Sequence, residues 1–405
     1  MLRGMASVLR VLFLALLIFY VWHRLVKRTG LQGAAKIAVT AAILLAIGPM
    51  AYVMLTGPNG APKTTGAFAW PAFIGWAVFA LTFFGLLVAD LGRGVVWGVR
   101  KLARKPAPTD PSRRQALARI TGGVIGTAVV GEVTYGVARA LGEPEIVDVP
   151  VTLAKLPPAL DGLTIVQLTD IHVGGTIGRA FVEELVERTN ALAPDVIALT
   201  GDFVDGSVDE LRDGVAPFAN LRAKHGVYFV TGNHEYYSGA PAWVAHFTSL
   251  GIRVLRNERV AIERDGAAFD LAGIDDHGAA KWGGDHGPDV ARAVAGRDAS
   301  RALVLLAHQP RQVHVAAQHG VDLQLSGHTH GGQVWPWHYL VKIQQGGLLA
   351  GRYTIGNTQL YVSRGPSYWG PPVRVGAPPE ITRVILRSGS VNEGERQRGA
   401  APTGA

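Results

Sequence analysis

The sequence predicts a layered α/β domain that follows an α-helical membrane region. Long apolar runs and most of the excess positive charge lie in the first third of the chain. The remainder alternates short Val/Ile/Leu-rich runs with helical stretches. We expect a membrane region over residues 1–140, a lead-in with one strand over 141–160, an α/β domain over 161–387, and a disordered polar tail over 388–405.

Three apolar runs near the N-terminus predict membrane helices, over residues 9–21, 34–55 and 68–89. The last two are long enough to cross about 30 Å of hydrocarbon at about 1.5 Å per residue, and the first is near the lower limit. Buried helices of a soluble domain are the alternative, but three such runs so close together favour membrane spans. Residues 120–138, which are Gly-rich and include Glu132, are expected to carry the chain back across.

The distribution of charge predicts the orientation. Residues 1–120 hold 15 basic and 2 acidic residues, whereas the rest of the chain holds 24 basic and 29 acidic residues. The net charge of +8 therefore belongs to the membrane region, and the acidic α/β domain argues against nucleic acid as a partner. Basic residues concentrate over 24–36 and 93–119, and the positive-inside rule places both stretches in the cytoplasm. The loop around Lys63 and the N-terminus are then outside.

A pair of arginines before the last apolar run bears on export. Residues 112–117, with Arg113 and Arg114, are similar to a twin-arginine signal, although Ala116 stands where Phe is common. The alternative is a basic juxtamembrane helix that leaves the α/β domain in the cytoplasm. The chain has no cysteine, which excludes thiolate metal ligands and a cysteine nucleophile. We expect a multi-pass inner-membrane protein whose α/β domain is extracytoplasmic.

The α/β domain is predicted from short apolar runs bounded by turn residues. Predicted strands cover 146–153, 163–169, 196–200, 227–231, 269–274, 302–306, 321–325 and 358–362, and predicted helices cover 179–190 and 310–319. In layered α/β folds, ligands bind beyond the carboxyl ends of the strands.

Five polar clusters follow predicted strands. They are Asp170-Ile171-His172, Gly201-Asp202, Gly232-Asn233-His234-Glu235, Ala307-His308 and Gly327-His328-Thr329-His330. Asp, Asn and His are the side chains that hold hard-to-borderline divalent metals. Each cluster alone is more often a turn or a helix cap. Their convergence at strand ends predicts a metal site.

In this order, the clusters D-x-H, G-D, G-N-H-[DE], [GA]-H and G-H-x-H resemble the calcineurin-like metallophosphoesterase superfamily. The run over 326–333 resembles its membrane-associated bacterial phosphodiesterase branch, and the resemblance covers roughly residues 163–386. It implies a metallophosphoesterase-type β-sandwich flanked by helices. It also implies hydrolysis of a phosphoester by metal-activated hydroxide, with two divalent ions as cofactors. Mn, Fe and Zn all suit this oxygen and nitrogen ligand set.

The resemblance also assigns roles to individual residues. The implied metal ligands are Asp170, His172 and His330 for one ion, Asn233, His308 and His328 for the other, and Asp202 shared between them. His234 is implied to lie over the phosphate as the catalytic residue, and Glu235 is expected to orient it.

Further residues are candidates for the substrate pocket. Asp276 and Arg364 follow predicted strands, and each is a substrate-binding candidate or a turn residue. Trp335 and Trp337 are expected either to line the pocket or to pack in the core or rim.

The leading functional hypothesis is a membrane-anchored phosphodiesterase acting on a lipid-linked or extracytoplasmic phosphoester. A pyrophosphatase acting on a UDP-linked lipid is one alternative. A membrane sensor or transporter with a regulatory metal domain is another, and the lack of paired intramembrane charges in the predicted spans argues against it. The oligomeric state stays open.

Overall fold

The computed structural model describes residues 2–56, 68–104 and 110–390. The polar stretch over 57–66 and the tail from residue 391 lie outside the described residues, and so do the predictions made for them. The chain divides into two compact units. The helical unit comprises Met1–Ala138 and Gly370–Val373, and the sheet unit comprises Arg139–Trp369 and Arg374–Ala405.

The described part of the helical unit contains four α-helices. They are α1 (Leu2–Trp22), α2 (Gly33–Thr56), α3 (Ala69–Leu102) and α4 (Pro111–Ala140), and a π-helical turn over His23–Lys27 follows α1. Within the described residues, three segments are long and apolar enough to cross a membrane: Gly33–Met54, Ala69–Leu102 and Pro111–Ala140. Asp110 caps α4 by accepting hydrogen bonds from the backbone N–H groups of Ser112 and Arg113.

One end of the helical unit holds a charge cluster around Asp90. Its carboxylate lies 2.8 Å from Arg24 and 2.9 Å from Arg93, and it accepts a hydrogen bond from the Tyr20 hydroxyl at 2.9 Å. Arg93 also donates to the Thr121 hydroxyl at 2.7 Å. Arg24, Asp90 and Arg93 all lie just outside the predicted spans over 9–21, 34–55 and 68–89, so the cluster does not contradict the expectation that those spans lack paired charges. The partners come from separate helices, so their proximity is not visible in the sequence.

The sheet unit is built on two six-stranded sheets. The strands are β1 (Glu145–Leu153), β2 (Thr164–Leu168), β3 (Val196–Thr200), β4 (Val227–Val230), β5 (Arg253–Val254), β6 (Glu258–Arg264), β7 (Ala267–Gly273), β8 (Leu303–Leu306), β9 (Leu323–Ser326), β10 (Gly351–Ile355), β11 (Thr358–Val362) and β12 (Glu380–Ser388). The first sheet has the order β1-β12-β2-β3-β4-β5 and the second β10-β11-β9-β8-β7-β6. β2 to β5 run parallel, as do β7, β8, β9 and β11.

The two sheets pack face to face, and helices cover their outer faces. Residues of both sheets, such as Ile165 and Val304, share one buried core. The helices of this unit are α5 (Arg179–Ala191), α6 (Val208–Val215), α7 (Asn233–Ser238), α8 (Ala240–Ser249), α9 (Val290–Val294), α10 (Val313–Gln318) and α11 (His338–Gln344). Trp243 and Phe247 of α8 pack on the outer face of the first sheet, and Ala316 of α10 packs on that of the second. The predicted layered α/β sandwich is confirmed.

The central strands are buried on both faces, which explains why they read as continuous apolar runs. Each fully buried Leu, Ile or Phe contributes roughly 1.5–3 kcal/mol of hydrophobic free energy, so the strands are held firmly. Because β2, β3 and β4 run parallel, their carboxyl ends open at one edge of the first sheet. β8 and β9 are likewise parallel neighbours in the second sheet. The five polar clusters follow these five strand ends.

Candidate metal centre

The strand-end loops bring the predicted ligands into two groups. One group is Asp170, His172 and His330, and the other is Asp202, His308 and His328; in each, the ligand atoms lie within 4.8 Å of one another. The Nε2 atoms of His172 and His330 are 3.1 Å apart, and His308 Nε2 lies 3.2 Å from His328 Nδ1. Nitrogen lone pairs that converge so closely suit a cation between them.

Asp202 and Asn233 complete this arrangement. Asp202 Oδ2 lies 3.0 Å from His308 Nε2 and 4.0 Å from Nε2 of His172, so one carboxylate faces both groups. Asn233 Oδ1 is buried and has no hydrogen-bond partner among the described residues. A buried amide oxygen without a partner is costly unless a ligand satisfies it. The donor set therefore fits two divalent cations that share Asp202.

The backbone of the ligand loops is unusual. Five ligands have positive φ angles: Asp170 at 56°, His172 at 54°, Asp202 at 58°, His328 at 72° and His330 at 50°. Non-glycine residues in this left-handed region are uncommon and cluster at functional sites, because the surrounding structure must hold them there.

Two motif glycines are required by close approach. A Cβ atom on Gly201, which has a φ of +85°, would lie 2.6 Å from the backbone nitrogen of Gly232. A Cβ atom on Gly327 would lie 2.1 Å from Asp170 Oδ2. Any larger residue at either position would push the ligand loops apart.

Burial and neighbouring charges shift the pKa values of the residues at the centre, often in opposite directions. Burial tends to lower the pKa of His308, but Asp202 outweighs it and raises this pKa to about 10. Burial and the neighbouring His308 lower the pKa of His328 to about 3. Burial tends to raise the pKa of Asp202, but His308 and His234 hold it well below its usual range. A histidine that binds a metal must be neutral, so His308 would have to lose its proton if it serves as a ligand.

His234 is oriented by a residue that the sequence did not single out. Its Nδ1 lies 2.5 Å from Asp205 Oδ1, and the same oxygen lies 3.2 Å from His172 Nδ1. Burial tends to lower the pKa of His234, but Asp202 and Asp205 outweigh it and raise this pKa to about 9. Asp202 and Asp205 therefore favour the protonated imidazole, which can donate a hydrogen bond.

The expectation that Glu235 orients His234 is wrong. Glu235 instead accepts hydrogen bonds from the backbone N–H groups of Asp202, Phe203 and Gly232, at 3.0, 2.7 and 2.6 Å. It stands at the third position of α7, and its side chain turns back to accept a hydrogen bond from the backbone N–H of Gly232, the residue that precedes the helix. Glu235 thus fixes the loop that carries Asp202. Asp205 orients His234 instead, and its position three residues after Asp202 was the sequence feature that could have indicated this.

Arg374 is a second residue that the sequence did not reveal. Its guanidinium is buried and donates to the carbonyl oxygens of His330 at 2.7 Å, Arg364 at 2.8 Å and Ser367 at 2.8 Å. Ser367 Oγ in turn donates to the Ile171 carbonyl at 2.6 Å. Burial lowers the pKa of Arg374 to about 9. The side chain joins the His330 loop to the segment that supports the Asp170–His172 loop.

The two substrate-binding candidates have different surroundings. Asp276 is buried and accepts hydrogen bonds from Gln309 Nε2 at 2.9 Å and the backbone N–H of Gly278 at 2.7 Å. Arg364 is ion-paired with the buried Glu380, and its own Nε is buried without a hydrogen-bond partner among the described residues. Contact of either residue with substrate stays a prediction.

An aromatic rim surrounds His234. The rings of Tyr237 and Trp369 lie 5.2 and 5.6 Å from the His234 ring, and Trp282 lies 6.2 Å from Tyr237. All three rim residues are exposed. They are far apart in the sequence, which gave no signal for this wall.

Comparison with known proteins agrees with this geometry. The family model described as calcineurin-like phosphoesterase matches residues 163–332. A metallophosphoesterase of Helicobacter pylori is 35% identical over 85% of this chain and 88% of its own length. A transmembrane protein with a metallophosphoesterase domain from Danio rerio is 32% identical over 91% of this chain and 86% of its own. A protein of the same description from Bos taurus is 39% identical over 71% of this chain and 66% of its own.

The Helicobacter pylori and Danio rerio relatives match 85% and 91% of this chain, which is more than the sheet unit alone, so these matches extend into the helical unit. The apolar helices and the transmembrane relatives indicate membrane association. The five motifs, the converging donors and the family match identify a hydrolase of phosphoester bonds. The chain belongs to the calcineurin-like metallophosphoesterases.

Proposed function

We propose that this protein is a multi-pass inner-membrane phosphodiesterase whose sheet unit faces away from the cytoplasm and cleaves a lipid-linked or other extracytoplasmic phosphodiester. The observation that carries the catalytic part is the pair of ligand groups sharing Asp202, with the His234 ring beside them. Two divalent cations bound there would lower the pKa of a water and neutralise charge on the phosphoryl oxygens.

The side chains of the site have three separate roles in the proposed reaction. Asp170, His172, Asp202, Asn233, His308, His328 and His330 hold the cations. His234, protonated and fixed by Asp205, donates a proton to the leaving oxygen as the ester bond breaks. The exposed rings of Tyr237 and Trp369 flank His234 and present an apolar wall to the alcohol part of the substrate.

The proposed reaction is tested by a hydrolysis screen of the purified full-length protein. Phosphomonoesters, phosphodiesters, phospholipids and nucleotide-linked lipids are compared at equal concentration, each with Mn, Fe or Zn supplied. We expect a phosphodiester or phospholipid to give the highest kcat/KM. Preference for a pyrophosphate bond in a nucleotide-linked lipid would favour a pyrophosphatase instead, and the absence of hydrolysis with every metal would contradict the enzyme assignment.

The proposed orientation is supported by contacts in the helical unit. Arg24, just after α1, contacts Asp90 of α3, and Arg93 of α3 contacts Thr121 of α4. The end of α1, the later part of α3 and the early part of α4 therefore lie at one basic end of this unit. Positive-inside asymmetry favours a cytoplasmic location for that end, and α4 then leads outward to the sheet unit.

Topology is tested with reporter fusions placed after Leu141 in the full helical unit. We expect a reporter that is active only after export to give signal, and a reporter that is active only in the cytoplasm to give none. The reverse pattern would place the sheet unit in the cytoplasm. The double change Arg113→Lys and Arg114→Lys should abolish the export signal if the twin-arginine route is used. An unchanged signal would assign the crossing to ordinary membrane insertion.

A further inference from the structure

We propose that an exposed apolar surface beside the metal centre docks onto an anionic lipid bilayer. This docking surface consists of Trp335, Trp337, Tyr339, Leu340 and Ile343. The inference rests on the proposed membrane anchoring, but it is independent of the substrate and of the reaction.

The docking surface is a concentrated apolar face. Ile343 is 77% exposed, Tyr339 57% and Trp335 52%. Tyr339, Leu340 and Ile343 are spaced so that they lie on one face of α11. Exposed large apolar residues scattered singly are normal on a protein surface, but five within nine positions mark an interaction site.

The sheet unit holds this face outward firmly. Arg311 donates to the backbone carbonyl of Gln344 and to the side chain of the buried Gln345. Four residues beyond the helix, Leu348 is buried in a cluster with Val313 and Leu360. Both ends of the docking surface are fixed, because the Trp335 N–H donates to the Val375 carbonyl at 3.1 Å. The contacts at both ends therefore hold the apolar face in a defined position on the sheet unit.

The lack of acidic residues around the docking surface favours an anionic lipid surface as its partner. No Asp or Glu occurs from residue 323 to residue 379, and Lys342 lies within α11 itself. Arg374 is buried and Arg364 is ion-paired with Glu380, so neither adds free positive charge to the docking surface. The chain beyond residue 120 is otherwise rich in acidic residues. Trp335 and Trp337 before α11, with Tyr339 and Lys342 inside it, are residue types that favour the boundary between headgroups and acyl chains. A lysine near an anionic lipid surface is also attracted to it electrostatically.

A short connection tethers the sheet unit to a candidate membrane span. α4 is a candidate membrane span that ends at Ala140, and β1 of the sheet unit begins at Glu145. Such a short connection gives the sheet unit a high effective concentration at the membrane, so even weak interfacial contacts are populated. A free soluble partner has no comparable advantage.

The docking surface also continues into the rim of the metal centre. Gln333 exchanges two hydrogen bonds with the backbone of Trp369, at 2.9 and 3.0 Å. Trp369 is the residue whose ring lies 5.6 Å from His234. Docking would therefore bring lipid headgroups to the edge of the site.

The chain has no cysteine, so one introduced cysteine gives a single labelling site. Full-length Ile343→Cys carries a fluorophore and is reconstituted into phosphatidylethanolamine and phosphatidylglycerol vesicles. A nitroxide lipid quencher is placed at the depth of about 5–10 Å that interfacial helices reach. Val315→Cys is the matched control, because Val315 is a 46% exposed apolar residue on α10. We expect severalfold stronger quenching at position 343 than at position 315.

Further arms separate the possible outcomes. Leu340→Glu in the Ile343→Cys protein should reduce the quenching to the level of the control, and unchanged hydrolysis of a soluble diester would show that the site is intact. Equal quenching at positions 343 and 315 in the parent proteins would overturn the proposal. Energy transfer between labels on position 343 of separate molecules, without lipid quenching, would assign the face to a second copy of the chain. The quenching itself does not depend on activity, so its failure is distinct from failure of the proposed function.

Discussion

Asp202→Asn is expected to deplete both metal ions and to reduce phosphodiester hydrolysis by on the order of 10³-fold, or about 4 kcal/mol in activation free energy. Asp202 Oδ2 lies 3.0 Å from His308 Nε2 in one ligand group and 4.0 Å from His172 Nε2 in the other. Its loss removes a negative charge from both groups at once. The His234 backbone N–H donates to Asp202 Oδ1 at 2.8 Å, and the Oδ1 of Asn can still accept this hydrogen bond, so the variant mainly removes charge.

The measurement is metal content by mass spectrometry on the purified full chain, together with kcat/KM on a soluble diester. Asp209→Asn is the matched control, because Asp209 is an exposed carboxylate in the nearby helix α6. The control should retain both metals and full activity. Two ions per chain and undiminished activity in Asp202→Asn would refute the shared-carboxylate arrangement.

His234→Ala is expected to keep both metals and lose roughly 10²–10⁴-fold in kcat, the usual contribution of a positioned general acid or base. The imidazole contacts Asp205 and lies outside the groups Asp170-His172-His330 and Asp202-His308-His328, although its nitrogen also clusters with His172 and Asp205. The loss should be larger for an alkyl diester than for a nitrophenyl diester, because a nitrophenolate leaves without needing a proton.

Asp205→Asn is a second variant that tests the same role of His234 and should have a smaller effect. It leaves His234 in place but removes the negative charge that holds the imidazole, so we expect a smaller loss of kcat with the same dependence on the leaving group. Equal losses on alkyl and nitrophenyl diesters in His234→Ala would argue against proton donation and for a purely electrostatic role. Loss of metal in His234→Ala would make it part of the ligand set.

Much of the sheet unit was predictable because its strands are local and apolar. β3 and β11 span the predicted residues, and β9 begins two residues later than predicted, at Leu323. The metal centre was predictable because parallel strands deliver their following residues to one edge. Five short clusters were therefore enough to place the donor atoms, without knowledge of the connecting helices.

The residues that support the ligands were not predictable in the same way. Glu235 and Asp205 are both carboxylates close to the centre, and only the path of the loops decides which one meets His234. Arg374 follows His330 by 44 positions and contacts it through a backbone carbonyl, so neither composition nor spacing marks it. Asp90 and Arg24 meet across helices. Such contacts depend on tertiary packing, which periodicity does not encode.

The left-handed backbone of the ligand loops restricts which amino acids can serve as ligands. Asp, Asn and His are the non-glycine residues enriched at positive φ, whereas longer side chains such as Glu are not. All five ligands with positive φ are Asp or His. Two requirements therefore restrict the residue types that can act as ligands at this centre. The side chain must suit a borderline cation, and the residue must tolerate a positive φ angle. An exchange of Asp for Glu would preserve the charge and the donor atom, yet it would place at a positive φ angle a residue that is not enriched there.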